Sequence, residues 1–400
     1  MSVRHLPLLS AAVALGVVLT AGTAAASPAE GGSASPAATT VAGAALRLPV
    51  PVEDYGAVGD GVADDTAALQ RALDSGGPGT RLVLAAGHTY LHSDVLHLRV
   101  PGEKLSGAGT LMATDESRSS VWVEADGVVL DGGMTIATAS TTRRWDAWEQ
   151  MGLRLSGHTG AVVRDVTVSG SAAAGVYVGD GASGFLLQRV TVRGTRADGI
   201  HMTGGAHDGR VLAPLVQGSG DDGVAVVSYE RDGTPCHDIT ISRPRVLGTT
   251  WGRGVSVVGG TDIAYDHVHV ERSSAAAVYI AEEGAPWNTT APVRVKVLGG
   301  TLLQANTDSS VDHGAVVVLA AGDSGPRDVL VQGLTIVDTR ATASRDVGVI
   351  TYATPPSGVV LRNVWITGGP ASGYSGNTPG SAYATLGWWQ NGVRLADHTP

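Results

Sequence analysis

Residues 175–226 read GVYVGDGASGFLLQRVTVRGTRADGIHMTGGAHDGRVLAPLVQGSGDDGVAV, and the Gly-hydrophobic-x-hydrophobic tetrapeptide that opens this segment returns twice within it. The three copies begin at Gly175, Gly199 and Gly223, and related copies begin 23, 31 and 23 residues from their neighbours at Gly152, Gly254 and Ala277. A second set of short hydrophobic segments keeps a similar step and ends at Val168, Val192, Val216, Val246 and Val270. A unit of about 24 residues with two or three short strands predicts one coil of a parallel β-helix, whose coils stack about 4.8 Å apart.

The composition agrees with an all-β solenoid. The 400 residues include 56 Gly but 1 Phe, and 43% are hydrophobic while only 4% are aromatic, which favours many tight turns around a core of small aliphatic side chains. Leucine-rich repeats share the period, but their L-x-x-L-x-L pattern is absent. The net charge of −10 argues against a nucleic-acid partner, and Cys236, as the single cysteine, excludes an intramolecular disulfide.

The two ends of the chain differ from the repeat. Residues 1–26 carry a basic start, an apolar run and an Ala-rich cleavage site. This pattern predicts a signal peptide, not a membrane anchor, and therefore a secreted protein. Residues 27–50 are predicted to form a disordered linker, 51–368 a catalytic β-helix, and 369–400 an irregular C-terminal cap or tail. The amphipathic segment from Ala67 to Leu73 predicts a short helix that caps the first coil.

The repeat also brings three carboxylates together. The residue before each tetrapeptide forms a column along the stack: Met151, Ala174, Asp198, Asp222, Arg253 and Ala276. Asp198 and Asp222 should therefore lie about 5 Å apart, with Asp221 beside them, and their repulsion should raise one pKa towards neutrality. An acid beside a base is what glycoside hydrolysis needs. The alternative interpretation is that these Asp-Gly pairs only form turns.

A second column consists of the outward residues Arg154, Tyr177, His201, Ala225, Ser256 and Tyr279, a mixture that suits a sugar ring and its hydroxyls. The predicted substrate-binding residues are Arg154, Tyr177, His201, Tyr279, Arg253 and Trp251. Trp287 is a second candidate for stacking. For each the plainer alternative is structural: an exposed polar residue for His201, an ion pair for Arg253 and a loop anchor for either Trp. Glu282-Glu283 is interpreted as a solvated turn, with a substrate-binding pair as the alternative. No metal site is predicted.

Two groups of motifs resemble a known superfamily. Asp54-Tyr55-Gly56-Ala57, Gly59-Asp60-Gly61 and Asp64-Asp65-Thr66 resemble the first motif of pectin-lyase-like right-handed β-helices. Ala197-Asp198-Gly199 and Gly220-Asp221-Asp222-Gly223 resemble the N-T-D and G-D-D segments of glycoside hydrolase family 28, the polygalacturonases, and a segment of family 87, the α-1,3-glucanases and mycodextranases. The resemblance implies Asp221 as general acid, Asp198 and Asp222 as the pair that activates water, and inversion, although a 5 Å separation by itself would indicate retention.

The departures from the polygalacturonase pattern concern the substrate. Gly252-Arg253-Gly254 stands where that family has G-H-G, and Val278-Tyr279-Ile280-Ala281 stands where it has R-I-K. Losing both cations would remove the charge-assisted grip on a uronate, which favours a neutral, α-glucan-like polysaccharide. The rival hypotheses are a Ca²⁺-dependent lyase that acts on a uronate polymer and a non-catalytic, glycan-binding β-helix. The expected partner is a polysaccharide, not nucleic acid or membrane, and the protein is expected to act as a monomer without a cofactor.

Overall fold

The computed structural model describes residues 48–400. The predicted signal peptide at 1–26, and all but the last three residues of the predicted linker at 27–50, lie outside the described residues. One α-helix, α1, spans Thr66–Ser75. Short 3₁₀ turns lie at Val52–Tyr55, Glu116–Arg118, Trp148–Gln150, Glu230–Asp232 and Gly380–Ala382. No helix in this part of the chain combines the length and hydropathy needed to cross a bilayer.

Short strands make up most of the regular structure. In chain order, β1 to β33 are Val50–Pro51, Asp60–Asp64, Arg81–Val83, Thr89–His92, Leu96–Leu98, Lys104–Ser106, Thr110–Ala113, Val121–Val123, Val129–Asp131, Thr135–Thr138, Leu153–Ser156, Val162–Arg164, Thr167–Ser169, Val176–Gly179, Leu186–Gln188, Thr191–Arg193, Ile200–Met202, Arg210–Leu212, Leu215–Ser219, Val224–Val227, His237–Ser242, Arg245–Thr249, Val255–Val258, Thr261–Glu271, Val278–Glu282, Lys296–Leu303, Val316–Ala320, Leu330–Val337, Val347–Thr351, Val359–Thr367, Tyr383–Leu386, Trp389–Gln390 and Val393–Arg394.

These strands stack as a right-handed parallel β-helix, as the repeat and the resemblance predict. One face is a ten-stranded parallel sheet built from β5, β8, β11, β14, β17, β20, β23, β25, β27 and β29. The remaining strands form the other faces, and the long strands β24, β26, β28 and β30 run along two of those faces without a break. Each coil therefore contributes one strand to the ten-stranded face, which we call the site face.

The register between coils is the predicted one. Val168 pairs with Val192, and the same ladder continues through Val216, Val246 and Val270. On the site face Tyr177 pairs with His201, which pairs with Ala225. Residues that alternate with these point inwards, so Val176, Val178, Ile200 and Met202 are fully buried.

The glycine that starts each site-face strand is required by close packing. A Cβ atom at Gly199 would lie 2.4 Å from Val216 Cγ1 and 2.5 Å from the carbonyl oxygen of Gly223 in the next coil. Both distances are far below van der Waals contact, so a side chain here would push the coils apart. The regular spacing of the coils therefore depends on having no side chain at this position.

A helix covers the N-terminal end of the solenoid, as expected, whereas further strands extend its C-terminal end. Leu69 and Leu73 of α1 are buried against core leucines of the first coils, so the predicted capping helix is present. Beyond residue 368, β31 and β32 pair in parallel with β30, and Trp388 is buried with its Nε1 donating to the Leu361 carbonyl at 2.9 Å. The coil stack thus continues past the boundary drawn from the sequence, because Gly- and Pro-rich connections hide these short strands.

Candidate active site

Asp198, Asp221 and Asp222 meet at the site face where β17 and β20 begin. Asp198 precedes β17 and Asp222 precedes β20, and the Gly199 N–H donates to the Asp222 carbonyl at 2.8 Å. All three side chains are buried, and one carboxylate oxygen from each lies within 4.8 Å of the others. The three acids therefore lie next to one another, as the repeat predicts.

Asp198 is the carboxylate held most firmly in its ionised form. Its Oδ1 accepts from the Asp222 N–H at 2.9 Å, and its Oδ2 accepts from His201 Nδ1 at 2.5 Å. Burial opposes the charge, but the hydrogen bond and charge of His201, with Arg144 and Arg253 nearby, outweigh burial and hold the pKa of Asp198 below its ordinary value. His201 thus bonds directly to Asp198.

Asp222 is surrounded by donors from the next coil. Its Oδ1 accepts from the Arg253 N–H at 2.7 Å and faces Arg253 Nε at 3.3 Å, while its Oδ2 accepts from Ser256 Oγ at 2.5 Å. Burial and the charge of Asp198 raise the pKa of Asp222, and Arg253 opposes that rise. The Arg253 guanidinium also donates to Glu283 Oε1 at 3.1 Å.

Asp221 is the carboxyl poised to carry a proton. Burial, followed by the charges of Asp198 and Asp222, raises the pKa of Asp221 to about 7, although Arg144 acts in the opposite direction. Its Oδ2 accepts from Arg144 Nη1 at 2.7 Å, and its Oδ1 is buried without a hydrogen-bond partner among residues 48–400. Two neighbouring carboxyls whose pKa values are driven apart form an acid and base pair.

Three residues that bond to the carboxylates or to Arg253 were not among the predicted ones. Ser256 stands two coils from His201 in the outward column, so its register could have identified it. Glu283, predicted as a solvated turn, accepts from Arg253 and from the Tyr279 hydroxyl at 2.9 Å. Arg144 belongs to a segment outside the repeat, where Trp145 in an aromatic-poor chain was the only sequence signal.

Several predicted binding residues are buried behind the cleft surface. Arg154 is 2% exposed, lies over the rings of Trp122 and Trp148 at 3.9 and 4.4 Å, and pairs with Asp180. Tyr177 stacks on His201, with ring centres 5.8 Å apart. The third, Tyr279, is 3% exposed, and the Arg253 guanidinium lies over the Tyr279 ring, 4.3 Å from the ring centre. Direct substrate contact by Arg154, Tyr177 or Tyr279 stays a prediction.

The cleft above the carboxylates is open and walled by tryptophans. It has a volume of about 410 Å³. Trp251 and Trp287 line it and are 56% and 54% exposed. The other lining residues are Arg144, Asp146, Asp198, His201, Asp221, Asp222, Val227, Tyr229, Arg253, Val258 and Glu283. An open cleft with exposed aromatic rings beside paired acids has the form of a carbohydrate site.

The carboxylate cluster has the spacing of a cation site but not its surroundings. Three acidic oxygens within 4.8 Å could be bridged by a divalent ion. However, the Arg144 guanidinium donates to Asp221, and the Arg253 guanidinium forms an ion pair with Asp222 at 3.3 Å. Two guanidinium groups therefore supply the positive charge that an ion would bring, and we do not assign these residues as metal ligands.

Comparison with solved structures identifies the fold. The catalytic unit of a thermostable GH87 α-1,3-glucanase from Streptomyces thermodiastaticus strain HF3-3 superposes with a TM-score of 0.64 at 19% identity, covering 86% of this chain and 68% of that one. A GH87 α-1,3-glucanase catalytic domain in complex with nigerose gives 0.65 at 16% identity, covering 85% and 65%. A hyperthermoactive exopolygalacturonase from Thermotoga maritima gives 0.60 at 14% identity, covering 88% and 93%.

At these identities the comparisons show the fold alone, and the chain spans about two thirds of the glucanase chains. No curated protein matches the sequence significantly. One family profile does match, that of rhamnogalacturonase A/epimerase, pectate lyase-like proteins, over residues 50–271. This match covers more than half of the chain and includes all three site carboxylates. The chain therefore belongs to the rhamnogalacturonase A/epimerase, pectate lyase-like family.

Proposed function

We propose that this protein is a secreted glycoside hydrolase that cleaves a neutral, α-glucan-like polysaccharide. The observation that carries the proposal is the buried cluster of Asp198, Asp221 and Asp222 on the floor of an open cleft, with the pKa of Asp221 at about 7 and that of Asp198 below its ordinary value. One carboxyl is thus protonated and another ionised at the same pH, which is the division that acid and base catalysis requires.

In the proposed mechanism Asp221 is the general acid. It protonates the glycosidic oxygen as that oxygen leaves the anomeric carbon. A water molecule held between Asp198 and Asp222 attacks the same carbon, and its proton passes to the carboxylate pair. His201 donates to Oδ2 of Asp198 and Ser256 donates to Oδ2 of Asp222, so each carboxylate keeps one orientation.

The charges around the cleft favour a neutral substrate. Five acidic residues line it, against two arginines, and each arginine is bonded to an acid. A polyanion entering here would meet net negative charge and would have to break an existing ion pair to gain a cationic contact. The exposed rings of Trp251 and Trp287 suit the apolar faces of uncharged sugars instead.

The stereochemistry proposed is inversion. The short distance between the carboxylates alone would suggest retention, for which about 5–5.5 Å is typical. A retaining enzyme needs a carboxylate oxygen free to bond to the anomeric carbon. Each oxygen of Asp198 and of Asp222 already accepts a hydrogen bond, an arrangement better suited to holding water.

The decisive experiment is hydrolysis of a glycan panel by the purified mature protein. We expect more reducing-sugar release from α-1,3-glucan or mixed α-glucan than from polygalacturonate or rhamnogalacturonan, and loss of at least about 100-fold in D221N. Proton NMR of the first product should show the inverted anomer. Faster cleavage of either uronate polymer would refute the neutral-substrate proposal, and unchanged activity in D221N would refute Asp221 as acid.

The same panel separates the rival functions. A lyase would release an unsaturated uronate with strong ultraviolet absorbance, and chelation of Ca²⁺ would abolish it. Arg253, the base that such a reaction would recruit, is bonded to both Asp222 and Glu283, which makes it a poor proton acceptor. A binding protein would retain the glycan equally in the wild type and in D221N and release no sugar from it.

A further inference from the structure

Arg144 reaches the site from a loop that does not belong to the coil repeat. Residues 139–147 cross the cleft wall between β10 and the turn Trp148–Gln150, and Arg144 is 77 residues from Asp221 along the chain. Before Arg144, Arg196 Nε donates to Thr141 Oγ1 at 3.0 Å and the Thr142 N–H donates to Glu116 Oε2 at 2.6 Å. After it, the Trp145 N–H donates to the Ala172 carbonyl at 2.9 Å. The loop is therefore fixed on both sides of Arg144.

The Arg144 guanidinium contacts the side of Asp221 that faces the cleft. Arg144 Nη1 bonds to Oδ2 at 2.7 Å, while Oδ1 is buried below the surface near Gly252, where an added Cβ would lie 2.3 Å from it. Oδ2 is thus the oxygen within reach of a substrate. Half of the Arg144 side chain is exposed, and its guanidinium lies 6.0 Å from the ring centre of Trp251, so it forms part of the wall beside the reacting bond.

The other charged groups around Asp221 are engaged elsewhere. His201 is bonded to Asp198, and Arg253 is bonded to Asp222 and Glu283. Asp198 and Asp222 themselves repel a negative charge on Asp221. Among the described residues around this carboxyl, Arg144 is the cation that bonds to it. The charge left on Asp221 when it gives up its proton is therefore supported chiefly by Arg144.

We propose that Arg144 is a positioning residue for the general acid: it holds Asp221 Oδ2 towards the cleft and stabilises the carboxylate that remains after the proton moves to the glycosidic oxygen. The catalytic part of this inference rests on the proposed hydrolase function, but the link between Arg144 and Asp221 does not. An Oδ2 that carries a proton can still accept from Arg144 while it donates to the substrate, so the two contacts are compatible.

Removal of the guanidinium has a defined effect on protonation. A nearby cation favours the ionised form of a carboxyl and lowers its pKa by about 1–3 units, and the half-exposed position of Arg144 places it at the low end. In R144Q the pKa of Asp221 should rise by about 1 unit. Since the acid must be protonated, the alkaline limb of kcat/KM should move to higher pH by the same amount, while kcat at the optimum falls about tenfold because the carboxylate product is less stable.

The test compares R144Q and R144K with the wild type. The pH dependence of kcat and kcat/KM is measured on soluble α-1,3-linked gluco-oligosaccharides, or on the panel glycan that the wild type hydrolyses fastest. R144K keeps the charge and should keep the alkaline limb within a few tenths of a pH unit. R143Q is the matched control, because Arg143 lies on the same loop but stacks on Trp145 at 3.6 Å, and it should leave the profile unchanged.

A second readout does not depend on hydrolysis. Infrared difference spectra between wild type and D221N isolate the carboxyl band of Asp221, and the same difference between R144Q and the R144Q/D221N double variant isolates it without the arginine. A midpoint higher by about 1 pH unit in the R144Q pair supports the inference. An unchanged midpoint, or a limb that shifts equally in R143Q, overturns it. If no glycan is hydrolysed, the proposed function fails and the infrared midpoints alone decide the role of Arg144.

Discussion

At the scale of single residues, Asp221 is held in a place that suits its chemistry and not the stability of the fold. Asp221 is 7% exposed, its Oδ1 has no hydrogen-bond partner within residues 48–400, and its carboxyl faces two other acids. Groups that are arranged for function are often destabilising where they stand. The burial and the neighbouring charges that raise the pKa of Asp221 should therefore be measurable as a pH-dependent loss of folding free energy.

We expect D221N to stabilise the protein, and more so as the pH rises. The folded-state pKa of Asp221, about 7, exceeds the ordinary 3.8. Below about pH 4 Asp221 is protonated in both states, and it takes nothing from the free energy of unfolding. Above that pH the loss of unfolding free energy grows, and it levels off at about 4 kcal/mol at most once the pH has passed about 7. The gain in melting temperature of D221N over wild type should thus increase between pH 4.5 and pH 8. D146N, which removes an exposed carboxylate from the same cleft, is the control variant measured over the same pH range. A flat difference for D221N would contradict the raised pKa.

The sequence was informative about these residues where the repeat governs them. Asp198 and Asp222 hold equivalent positions in successive coils, so register alone placed them together. Arg144 lies in a loop whose path depends on contacts with Arg196, Glu116 and Ala172, and no periodicity encodes such contacts. The sequence predicts a solvated turn at Glu283, because the local pattern does not show that Arg253 and Tyr279 will lie within hydrogen-bonding distance of it.

At the scale of strands and coils, the site depends on how closely β17 and β20 approach. Gly199 directly follows Asp198, and its N–H donates to the Asp222 carbonyl in the next coil at 2.8 Å, so this bond helps to set the distance from Asp198 to Asp222. The absence of a side chain at this position is thus a condition for the geometry of the carboxylates as well as for packing.

We expect G199A to lower both stability and activity. The added Cβ would meet Val216 Cγ1 at 2.4 Å and the Gly223 carbonyl oxygen at 2.5 Å, so the coils must shift at a cost of about 1–3 kcal/mol. The shift separates Asp198 from Asp222, and kcat should fall more than tenfold at a temperature where the variant stays folded.

G152A is the matched control for this change. Its Cβ would meet Val168 Cγ1 at 2.5 Å and the Gly175 carbonyl at 2.7 Å, a similar clash two coils away from Asp198. Thermal unfolding should show a similar loss of stability, whereas kcat should be nearly that of the wild type. Equal losses of kcat in both variants would mean that the approach of these two coils does not set the catalytic geometry.

At the scale of the whole molecule, the solenoid fold could be predicted and its C-terminal end could not. Gly-rich composition and a 24-residue period are properties of many residues together, so they survive local irregularity. The last coil contains β31 and β32 among Gly and Pro residues, and its strands pair through backbone groups that leave little pattern in the side chains. Trp388 was visible in the sequence, but its burial was not.

We expect W388A to destabilise the C-terminal coils without affecting the site. Trp388 is 2% exposed and donates to Leu361, so its truncation should cost about 3–5 kcal/mol in unfolding measured by denaturant. In a solenoid each coil contacts mainly its neighbours, so kcat should stay within twofold of the wild type below the new melting temperature. W365A, on the exposed face of the same region, should change the stability by less than about 0.5 kcal/mol. A loss of kcat in folded W388A would indicate that the ends and the site are coupled.

Each coil contacts mainly the coils next to it, so a coil can be gained or lost without rebuilding the rest of the solenoid. Duplication or deletion of one complete unit of about 24 residues on either side of the coils that carry the three carboxylates would change the length of the site face by about 4.8 Å and leave the order of the carboxylates intact. Cleft length can therefore change only in discrete steps, and under the proposed function the number of sugar units that the cleft engages could change without any change in the three carboxylates.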